Sequence, residues 1–199
     1  DLAALILHEL THGTLYVPGG ADFNESLASF VGWQGSLEFA RRREGSDSDA
    51  YRRTVRAFAV EEGRAVRARA LFAELDTLYR SAAKRPEILR RREEIWKAHV
   101  ARCREEAESA EARAFDLGAA GAASHELVEA LEDARRLRRA VPAGPLNNAI
   151  VLSQRRYGNF DAFRERFERA EGDWRTFFDD VARAASSLAV SAGSAPTRP

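Results

Sequence analysis

The sequence predicts an all-α protein, and the spacing of its apolar residues is the main reason. From residue 51 onward, apolar side chains recur every three or four positions in a chain of which 31% is charged, the pattern of helices with one buried face. No stretch alternates apolar and polar residues as a half-buried strand would. Glycine and proline occur mainly between the periodic stretches. We therefore expect a bundle of helices.

The first helix is expected to carry two histidines one turn apart, in the segment HELTH. Residues four apart lie on the same side of a helix, so His8 and His12 can reach one metal ion. Glu9 is rotated by about 100° from His8, off the ion but within reach of a water on its open side. The apolar residues around the motif predict that both histidines lie on or beside a buried face. These residues are Leu2, Leu5, Ile6, Leu7 and Leu10.

A second helix is expected from about residue 24 to residue 43, after a chain reversal that contains a proline and two glycines. Asp22 or Asn24 can cap it. Its first turns present Glu25, which would give zinc two nitrogens and one carboxylate and leave a fourth position for water, as in catalytic sites. Ser29, one turn further on, is placed to support a ligand imidazole through its second nitrogen. The alternative is that both histidines are ordinary core residues with no metal.

The rest of the chain is also expected to be helical. Two long helices separated at residues 84–86 should form an antiparallel hairpin. A small-residue linker, a short helix over residues 124–139 and C-terminal helices from residue 146 follow. The expected organisation is a single domain over residues 1–188, with zinc-site helices in 1–45, the hairpin and linker in 46–140, C-terminal helices in 141–188, and a disordered tail over 189–199.

The charge composition argues against several classes of partner. The 199 residues contain 31 basic and 31 acidic side chains, so no net charge directs the chain toward nucleic acid or an anionic membrane. No apolar run is long enough to span a membrane. Cys103 is the only cysteine, which excludes an internal disulfide. The sequence also has no nucleophile elbow of a serine hydrolase.

Several segments together resemble the bacterial putative aminopeptidase family of predicted zinc metallopeptidases. They are HELTH, LYVPGGADF and NESLASFVG near the start, and LNNAIVLSQRRYGNFDAF and GDWRTFF near the end. The resemblance is strong over residues 1–45 and 144–183 and is limited to a helical pattern between them. It implies a zinc site similar to that of gluzincins, with one zinc ion per chain. His8, His12 and Glu25 would be its ligands and Glu9 its general base.

The resemblance also suggests a polar cluster near the cleft. Asn147 and Asn148 would contact the substrate, and Tyr157 is our candidate for the donor that hydrogen-bonds the developing oxyanion. An asparagine pair at an otherwise apolar helix start needs polar partners, which supports this placement. The alternative that Asn147 only caps a helix stays open.

Proteins of this family usually have a sizeable segment before the metal helix, with an export or lipid-anchoring leader and an extended stretch that could bind a peptide. Because this chain begins at Asp1, almost at the metal helix, we expect it to be a fragment of a larger metallopeptidase. The resemblance implies an exported or lipid-anchored full-length protein. The residues of the fragment itself do not indicate a compartment.

The expected function is zinc-dependent peptide hydrolysis by a metalloaminopeptidase. The assignment as an aminopeptidase comes from the resemblance alone, because the sequence does not indicate which acidic residue would bind the free amine of the substrate. Two alternatives stay open. A zinc endopeptidase would accept an N-acetylated peptide, and a non-catalytic helical interaction module would bind no metal.

Overall fold

The computed structural model describes residues 2–154 and 160–193, with side chains through residue 186. All regular secondary structure in these ranges is helical, which confirms the predicted all-α class. The helices of the described chain are α1 (Leu2–Thr14), α2 (Ala21–Glu44), α3 (Asp49–Tyr79), α4 (Arg85–Ala119), α5 (Ser124–Ala140), α6 (Asn148–Gln154), α7 (Asp161–Arg169) and α8 (Trp174–Gly193).

These helices belong to two compact units. The first unit comprises residues 1–43 and 156–199 and contains α1, α2, α7 and α8. The second unit comprises residues 44–155 and contains α3 to α6. The first boundary lies between residues 43 and 44, and the domain organisation expected from the sequence stays a prediction. Residues 141–155 lie in the same unit as the hairpin.

The helical hairpin lies in the second unit. Ser48 caps α3 by accepting a hydrogen bond from the Tyr51 N–H at 3.1 Å. Two ion pairs join α3 to α4: Arg67 with Glu106 at 2.7 Å, and Glu74 with Arg102 at 3.4 Å. The later residue of α3 pairs with the earlier residue of α4. The two long helices are therefore antiparallel, as their spacing predicted.

Helix α5 completes a three-helix bundle, which the sequence did not lead us to expect. Gly121 adopts a φ of +68°, and the Ala122 N–H donates to the Leu117 carbonyl at 3.0 Å, so the chain reverses immediately after α4. The small-residue stretch predicted as a linker is therefore a helix end and a tight turn. Arg52 and Arg56 of α3 both pair with Glu129 of α5 and fix it beside the hairpin.

Aromatic side chains form the core of the first unit. Phe30 of α2 has no exposed surface and contacts Phe163 and Phe167 of α7, with ring centroids 6.1 and 6.0 Å away. Its ring centroid lies 5.6 Å from that of Phe177 in α8. Burying one such side chain stabilises a fold by about 1.5–3 kcal/mol. This cluster holds α2, the helix that carries Glu25, against α7 and α8.

Helix α1 is less buried than its apolar sequence led us to expect. Ala4 and Leu7 lie against Gly32 and Gly35 of α2. Of the residues of α1, all within the described ranges, only Ala4 and Thr11 are buried. We expected the apolar residues around the histidine motif to be buried, and this is wrong for four of them, which are exposed in the described chain. They are Leu2, Leu5, Ile6 and Leu10. None of the described helices is both long enough and apolar enough to cross a bilayer.

The C-terminal helices follow the predicted order. Helices α6, α7 and α8 all begin after residue 146, where C-terminal helices are expected, and Trp174 begins α8 at the next apolar repeat. Helix α8 ends at Gly193, so it extends into the segment 189–199 for which we predicted disorder. Residues 194–199 lie outside the described part of the chain.

Candidate metal centre

The turn between α1 and α2 is closed by a buried asparagine. Pro18 and Gly19, with φ of +75° at the glycine, form the turn, and the Gly20 N–H donates to the Val17 carbonyl at 3.0 Å. Asn24 is only 2% exposed. Its Oδ1 accepts from the Val17 N–H at 2.9 Å, and its Nδ2 donates to the Val17 carbonyl at 2.8 Å. The side chain therefore pairs with both backbone groups of Val17 and fixes the start of α2 beside the end of α1.

This turn brings three potential ligands of a metal ion together. The ligand atoms of His8, His12 and Glu25 all lie within 4.8 Å of one another. The Nε2 atoms of the two histidines are 3.3 Å apart. The Glu25 carboxylate oxygens lie 3.5 Å from His8 Nε2 and 3.9 Å from His12 Nε2. These are the three residues that the sequence predicted as a ligand set, and within the described ranges no other group of this kind occurs.

The separations of these atoms fit the coordination sphere of zinc. Zinc binds histidine nitrogen at about 2.0–2.1 Å and carboxylate oxygen at about 2.0–2.2 Å, so two ligands of a tetrahedral site lie about 3.3–3.5 Å apart. The His8–His12 and His8–Glu25 separations, 3.3 and 3.5 Å, match these values. The His12–Glu25 separation, 3.9 Å, is a few tenths of an ångström longer and involves the carboxylate oxygen Oε1, whereas the 3.5 Å separation involves Oε2. Two imidazoles and one carboxylate are also a donor set that zinc prefers.

The electrostatics of the cluster favour a cation at its centre. The side chains of His8, His12 and Glu25 are 17%, 26% and 27% exposed, so all three are largely withdrawn from water. The two Nε2 atoms face each other, and only one of them can donate a proton to the other. A cation between them would accept a lone pair from each nitrogen and neutralise the carboxylate as well.

Two further residues lie beside the cluster. The Ser29 Oγ, in a residue that is 8% exposed, is 3.5 Å from His8 Nδ1. If Nε2 bound a metal, Nδ1 would carry the proton and could donate it toward this oxygen. Glu9 follows His8 on α1, is exposed, and does not belong to the group of ligand atoms. Its carboxylate is therefore available for another role.

A glycine sets the distance between the two helices at the metal centre. At Gly32, an added Cβ would lie 2.5 Å from the Ala4 carbonyl oxygen and 3.4 Å from the His8 Cβ. The backbone of α1 therefore passes directly over this position of α2. Sequence reasoning missed the roles of Gly32 and of the Asn24 pair with Val17. Their only signals were a glycine inside a helical repeat and an asparagine in an apolar segment.

Comparison with protein families gives one match over almost the whole chain. The family described as "Putative aminopeptidase" matches residues 1–191. The chain belongs to this family. The match confirms the family that the terminal motifs resemble, and it covers the central helices as well. No curated protein and no solved structure matches the chain.

In this putative aminopeptidase family member, the asparagines of the predicted polar cluster have structural partners. Asn147 Oδ1 accepts hydrogen bonds from two backbone N–H groups of α6, at 3.0 and 3.3 Å, so it caps this helix. Asn148 Oδ1 accepts from the Tyr79 hydroxyl at 3.0 Å. Both asparagines lie in the second unit, whereas the three potential metal ligands lie in the first. Tyr157 lies outside the described residues. Substrate contact by these residues stays a prediction.

We expect Asn24→Ala to lower the free energy of unfolding by about 2–3 kcal/mol, because it removes two hydrogen bonds and leaves both backbone groups of Val17 without this partner. Zinc affinity should fall as well, since the turn orients Glu25. Chemical denaturation and a chelator competition titration measure the two effects. Asn147→Ala is the matched control, because it also removes two backbone contacts but should cost only about 1 kcal/mol, with zinc affinity unchanged. If both substitutions changed zinc affinity equally, Asn24 would not be the residue that orients Glu25 for zinc binding.

Proposed function

We propose that this member of the putative aminopeptidase family is a zinc-dependent aminopeptidase. The observation that carries the proposal is the convergence of His8, His12 and Glu25, whose ligand atoms lie within 4.8 Å of one another. The exposed residue Glu9 follows His8 directly in α1. Family membership supports peptide hydrolysis, and the donor set supports zinc as the metal.

In this proposal the three residues hold one zinc ion per chain. The bound ion would polarise the peptide carbonyl and bring the pKa of a water down to about 7. Ser29 supports the site by orienting the His8 ring through Nδ1, at a separation of 3.5 Å. The close contact at Gly32 supports it by keeping α1 and Glu25 of α2 together.

Glu9 is the proposed general base. Its carboxylate would accept a proton from the water that attacks the peptide carbon, and would then deliver this proton to the nitrogen of the leaving amine. The position of Glu9 supports this role, because it follows a ligand histidine directly and is itself outside the ligand group. Tyr157 is the proposed donor to the developing oxyanion, on the basis of the sequence alone.

The first test is the metal content of the chain, purified without a metal-binding tag. We expect one zinc per chain by elemental analysis, and we expect His12→Ala to lose it, because two remaining ligands hold zinc much more weakly than three. His125→Ala is the matched control, since His125 is an exposed histidine on α5 and should leave the zinc content unchanged.

Two results would contradict this expectation. Zinc retained in full by His12→Ala would place the metal elsewhere. Absence of zinc from the unaltered chain, even after dialysis against zinc, would favour a non-catalytic helical interaction module.

A further inference from the structure

A second candidate binding site lies in the second unit, between the hairpin and the segment that follows α5. The cavity there has a volume of about 390 Å³, within the range of small-molecule sites. Its walls come from α3, α4, the end of α5, α6 and the loop after Ala140. None of the metal-centre residues belongs to this unit. The proposed peptidase site therefore does not account for this cavity.

The charge of the cavity wall is one-sided. Three arginines, Arg64, Arg67 and Arg139, line the cavity, and no acidic residue is found among the described lining residues. Arg64 pairs with Glu61 at 2.6 Å and Arg67 with Glu106 at 2.7 Å. Within the described chain no such carboxylate partner is recorded for Arg139. The cavity therefore presents at least one uncompensated guanidinium group, and guanidinium binds carboxylates through two parallel hydrogen bonds.

The polar groups deeper in the cavity add no negative charge. Burial, assisted by the charges of Arg102 and Arg67, lowers the pKa of His99, so this imidazole is neutral at neutral pH. Burial also raises the pKa of the Cys103 thiol, which stays protonated. The His99 Nε2 and Cys103 Sγ atoms are 3.8 Å apart. The uncompensated charge of the wall is therefore that of Arg139, which favours an anionic ligand.

The remaining walls are apolar and held in place. The Trp96 ring stacks on the His99 ring, with centroids 5.6 Å apart and an angle of 22° between the planes. The Trp96 indole N–H donates to the Gly144 carbonyl at 3.2 Å, which fixes the loop beside it. Ile150 and Val151 of α6 add aliphatic surface. This surface can bury the apolar part of a ligand whose charged end faces the arginines.

We propose that this cavity is a binding site for a small organic carboxylate with an apolar body. Cationic side chains at the rim would bind the carboxylate, and Trp96, Ile150 and Val151 would cover the apolar part. None of its lining residues is a candidate metal ligand, and the proposal does not depend on the proposed peptidase activity.

Cys103 provides a reporter inside the cavity, because it lines the wall and is the only cysteine in the chain. We would measure the rate at which the neutral reagent 4,4′-dithiodipyridine modifies this thiol in the full chain, with 2-naphthoate as the probe ligand. At about ten times its Kd, naphthoate should lower the rate about tenfold, because the occupied cavity excludes the reagent. The neutral analogue 2-naphthalenemethanol, at the same concentration, should have a much smaller effect.

Charge variants test the role of the arginines. The double variant Arg64→Gln, Arg139→Gln should weaken naphthoate binding by at least about tenfold in a calorimetric titration. Arg91→Gln, Arg104→Gln is the matched control, since it removes the same charge from exposed residues of α4 that do not line the cavity. Circular dichroism would verify that both double variants are folded.

Three outcomes would overturn the proposal. Equal protection by naphthoate and by the alcohol would mean that the cavity binds apolar molecules without regard to charge. No protection by either compound would mean that it binds neither. An equal loss of affinity in both double variants would mean that naphthoate responds to overall charge and not to this cavity.

Discussion

Replacing Glu9 with glutamine will lower kcat for peptide hydrolysis by about 10²- to 10⁴-fold, the usual contribution of a positioned general base. Glutamine has the same shape as glutamate but cannot accept a proton from the attacking water. The zinc content should stay at one ion per chain, because Glu9 is not among the residues whose ligand atoms converge. Hydrolysis of leucine p-nitroanilide and elemental analysis of the same preparation measure both quantities.

Glu165→Gln is the matched control for this experiment. Glu165 is an exposed glutamate on α7 in the same unit, so its substitution should leave both kcat and zinc unchanged. A second substrate, N-acetyl-leucine p-nitroanilide, separates the two kinds of peptidase, because an aminopeptidase should reject the blocked amine. Full activity in Glu9→Gln would show that the base has been misassigned. Loss of zinc in that variant would instead make Glu9 a ligand.

The parts of the fold that depend on local periodicity could be predicted from the sequence. The four-residue spacing of His8 and His12 predicted that both imidazoles would reach one point, and their Nε2 atoms are 3.3 Å apart. The apolar repeats on either side of Pro86 predicted the long antiparallel hairpin in the same way. These predictions succeed because one helix, or two helices joined by a short turn, fix the geometry without help from distant residues.

The parts that depend on packing between distant surfaces could not be predicted. The apolar sequence of α1 suggested a buried helix, but α1 meets α2 at Ala4 and Leu7, and Leu2 and Leu10 stay exposed in the described chain. Periodicity identifies an apolar residue but not the surface that covers it. The cap at Asn147 was left open for a similar reason, since an asparagine at a helix start can serve either the helix or a ligand.

The close contact between α1 and α2 leads to the second large effect that we expect. Substituting Gly32 with alanine should destabilise the chain by about 1–3 kcal/mol, because the new Cβ would lie 2.5 Å from the Ala4 carbonyl oxygen. The atom it meets belongs to the backbone, so no change of rotamer can relieve the clash. Helix α1 must move away from α2, and His8 moves with it, since the same Cβ would lie 3.4 Å from the His8 Cβ.

This movement separates His8 from Glu25, so zinc affinity should fall by about tenfold or more, as it does when groups that orient metal ligands are lost. Gly13→Ala is the matched control, because Gly13 is an exposed glycine of α1 whose added Cβ would have no atom within 4 Å. That change should stabilise the helix by up to about 1 kcal/mol and leave zinc binding unaltered. Thermal unfolding with and without a chelator, together with a zinc competition titration, measures both variants. If Gly32→Ala matched Gly13→Ala in stability and in zinc affinity, the close approach of the two helices would not be what aligns the ligands, and the turn held by Asn24 would have to align them alone.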